Sequence, residues 1–176
     1  MSPARPSGTV AAGPGRRSTV RITARVDYAV RAALELAAVA PEALTADRIA
    51  TSQGIPARFL QTILSDLQHA RLVTSQRGRE GGYRLALPPA EISIARVMRV
   101  EQGFLAEVHG KRPEDVAYPG AAETLASVWV AAREGYRRVL EEVTLADVVA
   151  GKLPDHVAEI VALEDAWRSF GDSPGR

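Results

Sequence analysis

Two short amphipathic segments joined by a glycine-containing turn constrain the fold of this chain more than any other feature. The first segment follows Thr45 and ends at Gly54, a residue type that often closes a helix in the left-handed conformation. Ile55 and Pro56 then lead into a longer segment, because proline is well tolerated where a helix begins. Helix, tight turn and helix have the spacing of a helix-turn-helix, so the sequence predicts this motif over residues 45–70.

The second helix of the motif, predicted from Ala57 to Ala70, has two chemically different faces. Apolar residues at helical spacing are expected to pack inward, and they are Phe59, Leu60, Ile63, Leu64, Leu67 and Ala70. The polar residues that point away are Arg58, Gln61, Thr62, Ser65 and His69. Arginine can bind guanine and glutamine can bind adenine through two atoms, so the first four of these are candidate DNA-binding residues. An ordinary solvated helix face is the alternative interpretation.

A basic loop rich in glycine follows the motif. A short β-prone run at residues 72–75 and an alternating run at residues 83–87 flank this loop, which predicts a β-hairpin. A hairpin placed after a helix-turn-helix is typical of a wing. Arg77 and Arg79 on this loop suit contact with phosphates or a narrow minor groove, and both are candidate DNA-binding residues. A solvated hairpin would explain the glycines but not the paired arginines.

The rest of the chain is expected to be helical, which makes the fold class mainly α with a small β-hairpin. Outside the motif, periodicity and caps predict helices over residues 24–40, 94–102, 121–142, 145–150 and 154–170. The apolar stripe of helix 121–142 has a spacing close to that of a coiled coil. It consists of Leu125, Val128, Trp129, Ala132, Tyr136, Val139 and Leu140. This stripe predicts a dimerisation helix, although an intramolecular core would use the same residues.

The composition divides the chain into five parts. They are a disordered extension at residues 1–19, a winged helix-turn-helix domain at 20–103, an irregular loop at 104–120, the dimerisation helix with a short following helix at 121–150, and a C-terminal helix and tail at 151–176. Residues 1–19 are rich in Pro, Gly, Ser, Ala and Arg and show no periodic apolar pattern.

Charge is distributed unevenly along the chain. Residues 1–112 hold 16 Lys and Arg against 9 Asp and Glu, a net charge of +7, and residues 113–176 have a net charge of −6. The basic N-terminal part is typical of a protein that binds a polyanion, and the acidic C-terminal part is compatible with self-association. Charged solvated faces that arise by chance are the alternative interpretation. The sequence has no apolar run of bilayer length and no signal-peptide pattern at its start, so we expect a cytoplasmic protein without a membrane partner.

The side chains that could act as metal ligands limit which cofactors the chain can hold. It contains no cysteine, which excludes disulfides, thiolate metal sites and thiol redox switches at once. His109 has Glu107, Glu114 and Asp115 nearby, and these could form a hard-metal site, but such residues more often form a polar loop. We therefore expect neither a metal nor another cofactor.

Several stretches together resemble the Rrf2 family of winged-helix transcription regulators. They are RITARVDYAVRAALELA at residues 21–37, Ile49-Ala50 with Gly54-Ile55-Pro56, Phe59-Leu60 to Leu67, Leu72-Val73, SQRGREGGYRL at residues 75–85, and Thr144-Leu145-Ala146-Asp147. The Arg-Gly-x-x-Gly-Gly-Tyr spacing of the loop is the most specific of these features. The resemblance covers residues 20–150.

The resemblance implies a homodimer whose long helices cross between subunits, with the third helix in a major groove and Arg77 in a minor groove. Many members hold an iron–sulfur cluster through three cysteines before the long helix, whereas residues 104–119 contain none. Asp27 matches a carboxylate that some members use as a ligand, but Arg31 stands where their histidine would be. We therefore expect a member without an iron–sulfur cluster.

The function expected is that of a sequence-specific transcription repressor that binds an inverted repeat in double-stranded DNA and is associated with the nucleoid. The alternative is a winged-helix interaction module that acts through a partner protein. The sequence shows no phosphate-binding loop, nucleophile motif or paired catalytic carboxylates, so we do not expect an enzyme. The effector is left open between a small molecule near Trp129 and Tyr136, a protein partner, and constitutive binding.

Overall fold

Seven α-helices and one antiparallel hairpin make up the described residues of the computed structural model, which are 22–78, 81–101 and 111–167. In chain order they are α1 (Ala24–Ala38), α2 (Ala46–Gln53), α3 (Ala57–His69), β1 (Val73–Gln76), β2 (Gly82–Leu85), α4 (Ile94–Glu101), α5 (Leu125–Glu142), α6 (Leu145–Ala150) and α7 (Asp155–Ala162). The mainly helical class with a small hairpin is confirmed. The predicted extension at residues 1–19 lies outside the described residues, as do residues 104–110 of the predicted loop.

The helices begin and end where local chemistry satisfies their terminal backbone groups. The Thr23 hydroxyl accepts a hydrogen bond from the Val26 N–H at 3.3 Å, and Thr45 caps α2 in the same way. Gly54 closes α2 in the left-handed conformation with φ 62°, as its residue type predicted. Thr144 and Asp147 form a reciprocal capping box at the start of α6.

The hydrophobic core is built around α1. This helix packs against α3, α4, α6 and β2, and its buried residues include Val26 and Leu36. From α3 the core receives four side chains that are at most 1% exposed, namely Leu60, Ile63, Leu64 and Leu67. Burying such side chains contributes about 1.5–3 kcal/mol each. The buried stripe therefore fixes α3 by one face and leaves its other face at the surface.

Two residues of α3 that were expected to pack inward do not. Phe59 is 39% exposed; it lies in the first turn of α3, where its ring contacts Tyr28 of α1. Ala70 is exposed because it follows the last residue of the helix, where the chain turns through Arg71 at φ 58°.

Both of the last long helices are shorter than predicted. The long helix begins at Leu125 instead of residue 121, since Gly120–Ala122 forms a 3-10 turn. The C-terminal helix ends at Ala162, because Leu163 is in the extended conformation, and a 3-10 turn follows at Glu164–Trp167. Within this helix Val157 is buried, whereas Ile160 and Val161 are exposed, as is Trp167 in the turn that follows.

The wing is joined to the helical part through a close backbone contact. β1 pairs with β2 in antiparallel register, with Val73 opposite Leu85. Tyr83 exchanges two main-chain hydrogen bonds with Leu44, at 2.7 and 2.9 Å. A Cβ atom on Gly82 would lie 2.4 Å from the Leu44 carbonyl oxygen, so only glycine permits this approach.

We expect Gly82→Ala to lower the free energy of unfolding by about 2–3 kcal/mol, because backbone atoms must shift to admit the methyl group. Gly54→Ala is the matched control: its Cβ would meet open space, so it carries only the left-handed strain of about 1 kcal/mol. Urea unfolding of both variants measures the difference. Equal losses would show that the contact with Leu44 is not as tight as described.

Candidate nucleic-acid interface

The polar face of α3 presents the predicted base-reading residues to solvent. Arg58, Gln61, Thr62 and Ser65 are all exposed, on the helix whose opposite face is buried. The Thr62 hydroxyl donates to the Arg58 main-chain oxygen at 3.2 Å, which fixes this side chain against its own helix. The structure therefore brings together on one helix the four residues that the sequence singled out.

The wing loop is a tight turn with an exposed arginine. Arg77 is exposed and directly follows β1, and the Gly81 N–H donates to the Gly78 oxygen at 2.9 Å. A Cβ atom on Gly81 would lie 2.7 Å from main-chain oxygens of the same loop, so the turn requires glycine there. The second candidate on this loop, Arg79, lies outside the described residues.

The wing is attached to α3 through short connections. The Leu72 N–H donates to the Leu67 oxygen at 2.9 Å, and the Gln68 amide donates to the Ser75 hydroxyl at 3.3 Å. The first strand of the wing is therefore held against the end of the helix that carries the base-reading candidates.

A three-residue ion network, which the sequence analysis missed, joins α1 to α3 and α4. The Arg25 guanidinium donates to Asp66 and to Glu101. The Glu101 side chain is 1% exposed, and burial raises the pKa of its carboxyl while Arg25 opposes that shift. No local sequence pattern predicts this network, because neighbouring members of the network are at least 35 residues apart in the sequence.

A second polar network fastens α1 to the end of α2. Arg31 donates to the Gln53 side-chain oxygen at 2.9 Å and also to its main-chain oxygen, and it pairs with Asp27 at 3.2 Å. Glu35 accepts hydrogen bonds from Ser52 at 2.8 Å and from the Gln53 amide at 2.5 Å. These contacts hold the turn between the two helices of the motif in place.

The helix expected to mediate dimerisation leaves much of its apolar stripe uncovered in the single chain. Val128 is 55% exposed and Trp129 is 41% exposed, and Ala132 is exposed as well. The remaining four members of the stripe, Leu125, Tyr136, Val139 and Leu140, are half-buried. Burial raises the pKa of the Tyr136 hydroxyl. None of the seven is fully buried in the chain.

Comparison with known proteins gives one consistent result. Residues 22–151 match the profile of the Rrf2 family, described as an iron-dependent transcriptional regulator. The chain is 49% identical to the putative HTH-type transcriptional regulator Rv1287 of Mycobacterium tuberculosis, over 80% of this chain and 88% of that protein.

Solved structures of similar fold belong to the same group of regulators. The structure of CymR, the global cysteine regulator of B. subtilis, superposes with a TM-score of 0.66 at 25% identity, over 76% of this chain and 99% of that one. IscR of T. potens superposes with a TM-score of 0.61 at 27% identity, over 74% of this chain and 87% of that one.

An iron–sulfur cluster does not fit the donor atoms of this chain. The full sequence contains no cysteine, so no thiolate can hold an iron–sulfur cluster. The described residues contain no cluster of three or more His, Asp or Glu side chains with the geometry of a metal site. In the acidic loop that could hold a hard metal, Glu114 instead accepts a hydrogen bond from Arg133 at 2.7 Å, and His109 lies outside the described residues.

We expect the protein purified without oxygen to contain no iron–sulfur cluster, because its side chains offer no thiolate ligand. Visible absorption spectra and iron and sulfide assays, before and after incubation with ferrous iron and sulfide, measure this. Stoichiometric iron and sulfide with a charge-transfer band would contradict the expectation.

Proposed function

The chain belongs to the Rrf2 family of transcription regulators, and from that membership we propose that it represses transcription by binding a specific operator as a homodimer. Each subunit inserts α3 into a major groove and the β1–β2 loop into a flanking minor groove. Two identical readers related by a two-fold axis require an inverted repeat in double-stranded DNA. The protein acts in the cytoplasm, on the nucleoid.

The observation that carries this proposal is the polar face of α3. Leu60 and Ile63 anchor the helix in the core, while Arg58, Gln61 and Thr62 are exposed on the same helix. A buried stripe gives the helix a fixed orientation, and a fixed orientation is what base reading requires. Arginine and glutamine are the two residue types that read guanine and adenine through paired hydrogen bonds.

The wing supplies contacts that do not depend on base identity. Arg77 stands on a tight loop that glycines allow to approach DNA closely, and we propose that Arg79 on the same loop and Ser65 of α3 contact phosphates. Phosphate contacts give affinity that falls with salt concentration.

We propose that the apolar stripe of α5 forms the subunit interface. Its outermost members, Val128, Trp129 and Ala132, are exposed in one subunit, and a coiled-coil-like partner helix would cover them. Leu125, Tyr136, Val139 and Leu140 line the same interface. A stripe that served only as intramolecular core would be buried in the subunit, which favours the dimer.

A second candidate function is interaction with a partner protein. The exposed apolar side chains of Ile160, Leu163 and Trp167, which lie beyond the family match, favour it. Such a module would not need exposed arginines on α3 and the wing, and duplex binding that weakens steeply with salt distinguishes the two functions.

We expect Gln61→Ala to relax the choice of base at one position in each half-site, at a cost of about 1–3 kcal/mol for the preferred base. Its amide is the exposed group that reads one base edge, and its loss does not change the charge of the interface. Binding titrations against all four bases at each operator position measure this effect. Equal losses on specific and random DNA for Gln61→Ala would contradict the role assigned to that residue.

Arg77→Ala should instead weaken binding to many sequences and reduce the slope of affinity against salt by about one unit, since it removes one positive charge from the minor groove. Arg48→Ala, an exposed arginine on α2, is the charge-matched control.

We expect Val128→Asp to convert the dimer to monomers and to abolish tight operator binding, because a carboxylate cannot be buried against an apolar partner helix. Val149→Asp places the same charge on a 46% exposed valine of α6, and this control should stay dimeric. Light scattering on eluting peaks gives both masses. A dimeric Val128→Asp variant would contradict the assigned interface.

A further inference from the structure

Two aromatic rings connect α1 to the first turn of α3, directly beside the first base-reading candidate. The ring centroids of Tyr28 and Phe59 lie 6.4 Å apart with the planes tilted by 50°. The central carbon of the Arg58 guanidinium lies 4.8 Å from the centroid of the Phe59 ring. This distance is within the range of a cation–π contact, so the arginine rests on the face of the phenylalanine.

The Phe59 ring is linked through Tyr28 to the polar contacts of α1. The Phe59 main-chain N–H donates to the Pro56 oxygen at 2.9 Å, which fixes the backbone at the entry of α3. On α1, the Arg31 guanidinium lies 5.7 Å from the Tyr28 ring centroid, and Arg31 is bound to Gln53. The ring that carries Arg58 therefore belongs to a chain of contacts that ends in the α1–α2 network.

The exposure of Phe59 agrees with a role at the surface. It is 39% exposed, unlike its neighbour Leu60, which is 1% exposed. A phenylalanine that is 39% exposed contributes less packing energy than a fully buried one, because that energy follows the apolar area removed from water. The Phe59 ring also contacts a cation, Arg58, and a ring of α1, Tyr28.

We propose that Phe59 is a positioning residue that orders the Arg58 guanidinium for base recognition before DNA arrives. The inference rests on the proposed DNA-binding function. A free arginine side chain has many rotamers, and ordering it on binding reduces affinity, whereas a stacked arginine has lost part of that freedom already. A cation–π contact does not use the guanidinium N–H groups as hydrogen-bond donors to the protein, so they stay available to the two acceptors of a guanine.

A double-mutant cycle on the full chain tests this positioning role. The variants are Phe59→Leu, Arg58→Ala and the pair, titrated with the best-bound duplex recovered from genomic fragments and with a scrambled duplex. We expect Phe59→Leu to weaken specific binding about 3- to 10-fold and to leave binding to the scrambled duplex unchanged. The pair should bind no more weakly than Arg58→Ala alone, and Phe59→Tyr, which keeps the aromatic face, should restore affinity.

The midpoint of thermal unfolding separates positioning from simple structural damage. Because Phe59 is exposed, Phe59→Leu should unfold within about 2 °C of the parent protein. Tyr28→Leu, which removes the supporting ring on α1, should weaken specific binding in the same direction but less.

Three results would overturn the inference. A loss that persists in full when Arg58 is already alanine would mean that Phe59 contacts DNA itself, for example a thymine methyl group. Tighter binding by Phe59→Leu would mean that the stack holds Arg58 away from DNA. Failure of Phe59→Tyr to restore affinity would exclude the aromatic face as the cause.

The experiment separates failure of this inference from failure of the proposed function. If the parent chain selects no duplex, the proposed function fails together with this inference. Specific binding without coupling between Phe59 and Arg58 removes the inference alone.

Discussion

The burial of α1 is the constraint on which the rest of the structure depends. Its inner face is built largely of alanines, namely Ala29, Ala32, Ala33 and Ala37, with Leu36 filling the centre. Small side chains let α3, α4 and α6 approach the helix closely, since the distance between packed helices depends on the residues at the contact. The same helix carries Arg25 and Arg31 on its flanks, and these bind α3, α4 and α2. One element therefore sets the orientation of the whole helix-turn-helix.

The elements with strong local signals could be predicted from the sequence. Thr45 and Gly54 bound α2, the apolar stripe of α3 is buried from Leu60 to Leu67, and the glycines of the wing mark a hairpin. The predictions that were wrong concern helix ends and edges. Phe59 has the right spacing for the core, but spacing alone does not show how deeply a side chain is buried. The long helix α5 begins later than predicted, because Gly120–Ala122 forms a 3-10 turn.

The candidate site was predictable only in its exposed members. Arg58, Gln61 and Thr62 follow from the two-faced pattern of one helix, because amphipathic periodicity is a local property. The networks behind them join residues far apart in the chain, such as Arg25 with Glu101, and no local pattern encodes such a pair. These polar networks connect α1 to both helices of the motif. The sequence contains no thiolate that could hold an iron–sulfur cluster. Any signal that controls DNA binding must therefore act through different chemistry from that of an iron–sulfur cluster.

The most direct test of the central claim is a selection of genomic fragments by the purified full-length protein at moderate salt, followed by sequencing of the bound DNA. A symmetric dimer that presents α3 from each subunit predicts enrichment of an inverted repeat whose half-site centres lie about one helical turn, or a multiple of one turn, apart. Enrichment of no sequence above the input, with or without cellular extract of small molecules, would contradict the claim that this chain reads DNA.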